Sequence, residues 1–354
     1  MKITAVLCLR NEGAFLLDWL AHHFACGVSH VVVLSNDCQD GTDAMLDRLS
    51  VIAPVTHVRN DGPYDKGGIQ FTGLKLADSV PAVQEADWLL ALDIDEFVNV
   101  HVGGRSLPDL INAVPDATAI TLTWRLFGNA GVTHYEDRPV PEVFTMAAPE
   151  VMFWPWRAAM FKTLYRNDGT YGKLGVHRPR SPDRARLDQA RWVDGNGSPL
   201  SDGFRTKRIF SDYGRPMYGL AQLNHYALGA MESYVLKSDR GRAVHAKDRL
   251  GMDYWVERNW CTVEDRSILA LAEQTRAERE TLGRDPALAE LHRAAVAWRK
   301  QRFETLMTEE PMRALFARLC MTPPSRPITR GTAQVLTGHA LRDPQNRPAA
   351  DTRR

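Results

Sequence analysis

The feature that most constrains this chain is a run of five apolar residues, Trp88–Leu92, that stops at the acidic sequence Asp93-Ile94-Asp95-Glu96. A short, wholly apolar run is typical of a strand that is covered on both faces, as in the parallel sheets of α/β proteins. Similar short runs precede it at residues 3–9, 28–34 and 55–58, and helical patterns separate them. This alternation predicts right-handed crossovers and a mostly parallel central sheet flanked by helices.

Polar clusters follow three of the four predicted strands, at residues 10–12, 36–40 and 93–96. In an open parallel sheet the carboxyl ends of the strands lie at one edge, and ligands bind in the crevice outside that edge. Three separate segments are therefore expected to meet in one crevice. This convergence is the strongest functional indication in the sequence.

The chain has 354 residues, enough for one large α/β domain with an extension. We expect a domain at residues 1–230, with a nucleotide-binding half at 1–100 and an acceptor half at 101–230. Helical spacing of apolar residues predicts a helical extension at 231–322. The segment 323–354 is rich in Pro, Arg, Thr and Gly without an apolar period, which predicts a disordered tail.

Composition narrows the class of protein. Lys and Arg total 44 and Asp and Glu total 43, so the net charge of +1 gives no reason to expect a nucleic-acid partner. The five cysteines form no Cys-x-x-Cys pair, which argues against a disulfide framework and favours a cytoplasmic location. We expect no signal peptide and no transmembrane segment, because the first apolar run is too short. The Arg-rich tail allows weak peripheral attraction to an inner membrane surface.

The acidic sequence also suggests a chemistry. If Asp93 and Asp95 continue the strand, their side chains fall on the same side, because strand residues alternate with period two. Two adjacent carboxylates suit Mg²⁺ or Mn²⁺, which bind oxygen ligands and phosphates. Such a cation would stabilise the charge on a departing diphosphate. The alternative reading, a pair of solvated loop acids, is favoured for an isolated Asp-x-Asp but not for one that follows a buried strand.

Several blocks, taken together, resemble the glycosyltransferase family 2-like proteins, specifically the Asp-Ile-Asp-Glu-Phe branch related to family 92. They cover roughly residues 3–260 and are Arg10-Asn11-Glu12, the helix from Trp19 to His23, residues 35–42, residues 92–97, Phe127-Gly128-Asn129, Lys162, Gly175-Val176-His177, Asn224-His225-Tyr226 and Lys237. The resemblance implies a GT-A (nucleotide-diphospho-sugar transferase) fold. It also implies a hexosyltransferase-type enzyme that moves a sugar, usually from a UDP-sugar, to a glycan, lipid or other acceptor, as in polysaccharide biosynthesis, with inversion favoured.

The resemblance further implies roles for individual residues. Those implied to border the nucleotide, its base or its ribose are Arg10, Asn11, Glu12, Asn36, Asp37, Asp40 and Asp93. Those implied to hold a divalent metal (Mn²⁺ or Mg²⁺) are Asp93, Asp95 and His225. For Asp93 the ribose is the alternative contact, and for His225 a phosphate is the alternative ligand. The residues we predict to be catalytic are Asp93, Asp95, Glu96 and His177, and the general base is unassigned.

The two histidines each have a structural alternative. His177 follows Gly175 in an irregular stretch, so catalytic contact and a plain loop hydrogen bond fit equally well. His225 lies between Asn224 and Tyr226, whose polar groups suit the second shell of hydrogen bonds around a ligand, although a core histidine is the alternative.

Two other functions compete with sugar transfer. A haloacid dehalogenase-like phosphotransferase also carries Asp-x-Asp after an apolar strand, but there the motif ends the first strand, whereas here it ends the fourth. A non-catalytic carbohydrate- or nucleotide-binding module would need no carboxylate pair. A donor-hydrolysis assay separates this second alternative from an enzyme.

Overall fold

The computed structural model describes residues 1–64, 67–212, 214–240 and 250–342. Its strands are β1 (Ile3–Leu9), β2 (His30–Ser35), β3 (Val55–Arg59), β4 (Trp88–Leu92), β5 (Glu96–Val100), β6 (Ala119–Leu126), β7 (Met146–Ala147), β8 (Phe161–Arg166), β9 (Tyr171–Lys173), β10 (Arg180–Pro182), β11 (Trp192–Val193), β12 (Ala221–His225) and β13 (Val263–Glu264).

The helices alternate with the strands in the first half of the chain and dominate its end. They are α1 (Gly13–Ala25), α2 (Thr42–Ile52), α3 (Gly68–Ala77), α4 (Pro81–Gln84), α5 (Leu107–Ala113), α6 (Val140–Val143), α7 (Gly203–Thr206), α8 (Met231–Arg240), α9 (Met252–Arg258), α10 (Ala272–Gly283), α11 (Pro286–Leu306), α12 (Glu310–Met321) and α13 (Arg330–Arg342), with 3₁₀ turns at Trp156–Ala159, Leu187–Gln189 and Ser267–Leu271.

The central sheet has the order β3-β2-β1-β4-β8-β6-β12-β5, and β11 pairs with β6 outside this path. Strands β1 to β4 pair in parallel, as do β6 with β12 and with β11. The strand β8 runs antiparallel between β4 and β6, and β5 runs antiparallel to β12. The predicted α/β class, with a mostly parallel sheet flanked by helices and a helical C-terminal region, is confirmed.

Burial explains why the apolar runs form central strands. Every residue of Trp88–Leu92 is buried, with β1 on one side and β8 on the other. On α1, the side chains of Leu16, Trp19 and Leu20 are fully buried against the sheet. Each such apolar side chain contributes about 1.5–3 kcal/mol relative to its exposed state. Strand β4 is therefore held rigidly where it ends, at Asp93.

The loops at this edge of the sheet hold the start of α1. The carboxylate of Asp40 accepts hydrogen bonds from the backbone N–H of Gly13 (2.9 Å) and of Thr42 (3.0 Å), and the Thr42 hydroxyl accepts one from the N–H of Glu12. Gly13 has no room for a side chain, because a Cβ there would lie 2.9 Å from Cβ of Ala295 on α11. The β1–α1 and β2–α2 loops are thereby held together.

The C-terminal helices pack beside the sheet domain. Helices α8, α9, α11 and α12 enclose a separate apolar core, and the boundaries of the extension predicted at 231–322 stay a prediction. We expected a disordered tail at 323–354, but residues 330–342 form α13. The hydroxyl of Thr329 caps the first turn of this helix by accepting a hydrogen bond from the N–H of Thr332. Residues 343–354 lie outside the described residues. None of the helices in the described part of the chain has the length and hydropathy needed to cross a bilayer.

Candidate active site

The acidic sequence forms a tight turn between β4 and β5. The N–H of Glu96 donates to the carbonyl of Asp93 (3.0 Å), and the Glu96 carboxylate accepts from the N–H of Asp93 (2.8 Å). The indole Nε1 of Trp19, on α1, donates to the carbonyls of both Asp93 and Glu96. These bonds fix the direction of the turn relative to the sheet.

This turn corrects the geometry that we expected for the carboxylate pair. Residues 93–95 lie outside the strands, so the alternation of side chains along a strand does not apply to them. The two carboxylates have different partners, Lys162 for Asp93 and Lys237 for Asp95. The apolar run fixed the end of the strand, but not the direction of the side chains beyond it.

Asp93 faces the sheet. Its Oδ2 accepts a hydrogen bond from Nζ of Lys162 at 2.9 Å, and its Oδ1 accepts one from the amide of Gln70 at 3.1 Å. Lys162 enters from the neighbouring strand β8 and is 1% exposed, whereas the Asp93 side chain is 34% exposed. Burial would lower the pKa of Lys162, but Asp93 and Glu96 raise it above its ordinary value. The lysine is therefore a fixed positive charge beneath the turn.

Asp95 faces the C-terminal helices. Its Oδ2 lies 2.6 Å from Nζ of Lys237, on α8, and its Oδ1 lies 3.7 Å from Nε2 of His225, at the end of β12. Burial alone would raise the pKa of Asp95, but Lys237 and His225 hold it well below its usual range. Asp95 is therefore an ionised carboxylate at neutral pH.

Glu96 lies behind the turn, with no exposed surface. Its Oε1 accepts a hydrogen bond of 2.6 Å from the indole of Trp124, and its Oε2 lies 3.4 Å from Nζ of Lys162. Burial raises the pKa of Glu96 to about 8, against the opposing effect of Lys162. The described contacts of Glu96 thus shape the turn, and its predicted catalytic role stays a prediction.

The two predicted histidines lie on either side of Trp124. The ring centroid of Trp124 is 4.2 Å from that of His225 and 5.8 Å from that of His177. Burial lowers the pKa of His177 to about 4, and its Nδ1 is 3.0 Å from the carbonyl of Phe161. Burial also lowers the pKa of His225, whose Nδ1 has no hydrogen-bond partner among the described residues. Both imidazoles are therefore neutral at neutral pH.

The residues predicted to border the nucleotide lie in the two adjoining loops. Asn11 has a left-handed backbone (φ 54°), and its side-chain oxygen accepts from the N–H of Gln39. Asp37 is also left-handed (φ 48°) and accepts from the hydroxyl of Tyr64. Asn36 donates to the carboxylate of Asp37. Asp40 is buried and holds the start of α1, so its described contacts are structural.

Glu12 and Arg10 connect these loops to the C-terminal helices. The guanidinium of Arg240, on α8, donates to the Glu12 carboxylate and to the carbonyl of Arg10. Burial would lower the pKa of Arg240, and Glu12 raises it above its ordinary value. The same helix therefore contacts the β1–α1 loop through Arg240 and the acidic turn through Lys237.

A cavity of about 330 Å³ lies between these elements. Its wall includes Asn11 and Glu12 from the β1–α1 loop, Asp95 from the acidic turn, and Lys237 and Arg240 from α8. The helix α11 closes another part of the wall. The volume is within the range of small-molecule sites, about 300–1,000 Å³. Two of the three predicted polar clusters, at residues 10–12 and 93–96, reach this cavity.

Only some of the donor atoms near the acidic turn suit a divalent cation. Within the described ranges, no cluster of three or more His, Cys, Asp or Glu side chains is arranged to hold a metal. At the acidic turn, Asp95 and His225 form a pair that suits one, because a carboxylate oxygen and an imidazole nitrogen lie 3.7 Å apart, too far for a hydrogen bond. Asp93 is directed towards Lys162 instead.

The sequence patterns assign no role to Trp124 or Gln70, and they include Lys162 only among the blocks that carry the family resemblance, without a role. A local signal also exists for Lys162, because a lysine between Phe161 and Thr163 in a buried strand needs a partner. Trp124 and Gln70 carry no such signal. Their approach to the acidic turn depends on the packing of β6 and α3 against β4.

No protein-family model matches the chain. The sequence is similar to a glycosyltransferase family 92 protein of Ricinus communis, with 26% identity over 148 residues, which is 40% of this chain and 26% of that protein. It is similar to a second such protein, of Oryza sativa subsp. japonica, with 26% identity over 150 residues, which is 40% of this chain and 24% of the relative. The chain thus spans about a quarter of the length of the curated relatives it matches.

Among solved structures, the chain is similar to S. aureus TarS. The match to the structure of TarS 1–349 has 13% sequence identity and a TM-score of 0.34. It covers 85% of this chain and 92% of that chain. The match to the same TarS segment in complex with UDP-GlcNAc has 14% sequence identity and a TM-score of 0.33. It covers 89% of this chain and 78% of that chain.

The sequence comparisons and the α/β sheet define a class. Over about 40% of its length the chain resembles proteins named as glycosyltransferases, and its central sheet is the mostly parallel α/β sheet described above. Within that class the relatives are family 92 proteins, so the resemblance predicted from the sequence blocks is confirmed.

Proposed function

We propose that this protein is a glycosyltransferase that moves a sugar from a nucleotide-diphosphate sugar, with UDP as the carrier, to a hydroxyl group of an acceptor. The observation that carries the proposal is the position of Asp95, an ionised carboxylate that lines the same cavity as Asn11 and Glu12 of the β1–α1 loop. The similarity to family 92 glycosyltransferases supports the same function independently.

The reaction requires few changes in bonding. An acceptor hydroxyl oxygen attacks the anomeric carbon of the donor sugar, and the bond from that carbon to the phosphate oxygen breaks. The nucleoside diphosphate leaves with the electron pair, and the hydroxyl proton passes to a base. A direct displacement of this kind inverts the anomeric configuration, which is the outcome that we propose.

The residues of the cavity wall suit the two charged partners in this reaction. Lys237 and Arg240 present cations beside the β1–α1 loop, where negative charge on a leaving diphosphate is stabilised electrostatically. Asn11 and Glu12 are proposed to border the nucleotide, and Asn36 and Asp37 its base and ribose. Asp40 and Glu96 support these groups from behind through the hydrogen bonds described above.

We also propose that a divalent cation, Mn²⁺ or Mg²⁺, binds between Asp95 and His225. When bound, it would neutralise charge on the diphosphate. The ammonium of Lys237 lies against the same carboxylate, so the lysine and the cation are expected to compete for Asp95. Asp93 is proposed to contact the ribose rather than the metal, since its Oδ2 is paired with Lys162.

Calorimetric titration of UDP tests the function and the metal separately. We expect UDP to bind in the presence of Mn²⁺ and to bind at least tenfold more weakly with EDTA, a difference of about 1.4 kcal/mol. Equal affinity in both conditions would refute the role of the metal but not that of the nucleotide. Failure of any nucleoside diphosphate to bind in a thermal-shift panel would refute the proposed donor.

A second measurement distinguishes an enzyme from a binding module. UDP-sugars incubated with the protein should be hydrolysed slowly to UDP even without an acceptor, because water can replace the acceptor hydroxyl. Asp95→Asn should abolish this hydrolysis. The matched control is Asp116→Asn, which alters an exposed aspartate in the loop between α5 and β6. Tight UDP binding without any hydrolysis or transfer would favour the module.

A further inference from the structure

Arg299, on α11, is a buried cation that has no ion-pair partner among the described residues. Its side chain lines the cavity and is 7% exposed. No acidic side chain of the described residues forms an ion pair with it, and its Nε has no hydrogen-bond partner among them. Burial lowers the pKa of Arg299 from its ordinary value. Burying a charge without a partner costs free energy, so most buried charges in proteins are paired.

Four of the five acids that line the same cavity are paired with other cations. Glu12 accepts from Arg240, Asp95 from Lys237 and Asp239 from Arg302. Glu136 pairs with Arg138. Glu142, the fifth acid of the wall, forms no ion pair with Arg299 among the described residues. Glu12 and Asp40 raise the pKa of Arg299 against the effect of burial, but no acid of the wall is paired with it, so its N–H groups can take an anion from outside the chain.

Two aromatic rings hold the guanidinium in position. Its central carbon lies 4.5 Å from the ring centroid of Phe15 and 5.0 Å from that of Tyr135. The two rings lie at 78° to each other, and their cation–π attraction stabilises the charge without supplying a hydrogen-bond acceptor for its N–H groups. Those N–H groups match the two oxygens of a carboxylate or a phosphate, which arginine binds in a bidentate manner.

We propose that Arg299 binds an anionic group, a carboxylate or a phosphate, on the acceptor, and hence that the acceptor is an acidic sugar or a phosphorylated one. The assignment of this anion to the acceptor rests on the proposed function, because Asp95 lines the same cavity. The anion site itself rests only on Arg299, Phe15 and Tyr135. A lysine would lack the planar fork that the two rings orient.

Calorimetry with small probes tests the inference. The probes are glucose, glucuronate, glucose 6-phosphate and UDP, and the variants are Arg299→Gln and Arg293→Gln. Arg293 is the matched control because it is on the same helix, is 66% exposed and pairs with Glu290. We expect the wild-type protein to bind glucuronate or glucose 6-phosphate about tenfold more tightly than glucose. Arg299→Gln should lose this preference and keep UDP affinity, and Arg293→Gln should change neither.

The possible results separate the two proposals. A preference for the acidic sugars that survives in Arg299→Gln, or that is missing from the wild type, overturns the anion site. If Arg299→Gln loses UDP affinity instead, the arginine contacts the donor diphosphate and the acceptor assignment is wrong. A wild type that shows the Arg299-dependent preference but binds no nucleotide refutes the proposed function alone. Whichever of glucuronate and glucose 6-phosphate binds more tightly shows whether the site prefers a carboxylate or a phosphate.

A variant that fails to fold would not end the test. In that case the Nε–H resonance of Arg299 is followed by NMR in the wild-type protein during titration with glucuronate and glucose 6-phosphate. We expect it to shift with at least one of them and not with glucose. An unchanged resonance at saturating concentrations of both acidic probes overturns the inference. Arg299→Lys, which keeps the charge and most of the volume, identifies the resonance.

Discussion

Nζ of Lys237 lies 2.6 Å from Oδ2 of Asp95, although the two residues are 142 positions apart in the sequence. Lys237 also donates to the carbonyl of Ala227. The ammonium is therefore held against the carboxylate that we propose as a metal ligand. This arrangement makes the charge state and the metal affinity of Asp95 depend on α8.

Replacing Lys237 should strengthen metal binding. In Lys237→Met the ammonium no longer competes for Asp95, so we expect the Kd for Mn²⁺ to fall about tenfold, equivalent to 1.4 kcal/mol. Titration of Mn²⁺ followed by electron paramagnetic resonance measures this directly. Lys207→Met, in an exposed position after α7, is the control. Unchanged or weaker Mn²⁺ binding in Lys237→Met would show that the two cations do not share the carboxylate.

Asp95→Asn should remove sugar transfer and leave the fold intact. The amide keeps the size of the side chain but not its charge, and Lys237 keeps its hydrogen bond to the carbonyl of Ala227. Loss of one such electrostatic group lowers turnover by about 10²–10³-fold. Circular dichroism should be unchanged, and Asp116→Asn should retain full activity. Turnover within a few-fold of the wild type in Asp95→Asn would mean that the carboxylate is structural.

His225→Ala should alter the choice of metal. Imidazole nitrogen is a softer ligand than carboxylate oxygen and suits Mn²⁺ better than Mg²⁺. We therefore expect activation by Mn²⁺ to weaken more than activation by Mg²⁺. Activation constants for both ions, measured together with the melting temperature, test this. A lower melting temperature with an unchanged metal preference would identify His225 as a packing residue against Trp124.

Glu96→Gln should change how stability depends on pH. The pKa of Glu96 is raised to about 8 by burial, so the folded protein holds this proton more tightly than the unfolded chain does. The contribution to stability is complete below the unfolded pKa, near 4.5, and is lost as pH rises towards 8. Glutamine does not titrate, so the variant should lose this decline.

The measurement for Glu96 is urea unfolding at pH 5, 6, 7 and 8 in the presence of EDTA. Glutamine also replaces one oxygen that accepts from Trp124 or from the N–H of Asp93, which lowers stability at every pH. We therefore expect the free energy of unfolding of the variant to approach that of the wild type as pH rises. A constant difference across this range would show that Glu96 is ionised throughout.

The sequence determined much of the first half of the fold. Wholly apolar runs such as Trp88–Leu92 have no low-energy alternative to a buried strand, and the helical spacing of Leu16, Trp19 and Leu20 fixes which face of α1 is covered. Because parallel strands deliver their ends to one edge, the meeting of the β1–α1 loop with the acidic turn also followed from local pattern. The helix α13 did not, because the helical capacity of residues 330–342 was obscured by the Pro- and Arg-rich composition around it.

The partners of the carboxylates were decided only by tertiary structure. A strand pattern ends where the strand ends, so the turn that directs Asp93 to Lys162 and Asp95 to Lys237 is set by hydrogen bonds from Trp19 and Glu96. Charged side chains at a buried edge pair with whatever opposite charge the packing brings near, and sequence distance carries no information about that choice. The position of Arg299 has the same origin, because the packing pairs four acids of the cavity wall, Glu12, Asp95, Glu136 and Asp239, with other cations.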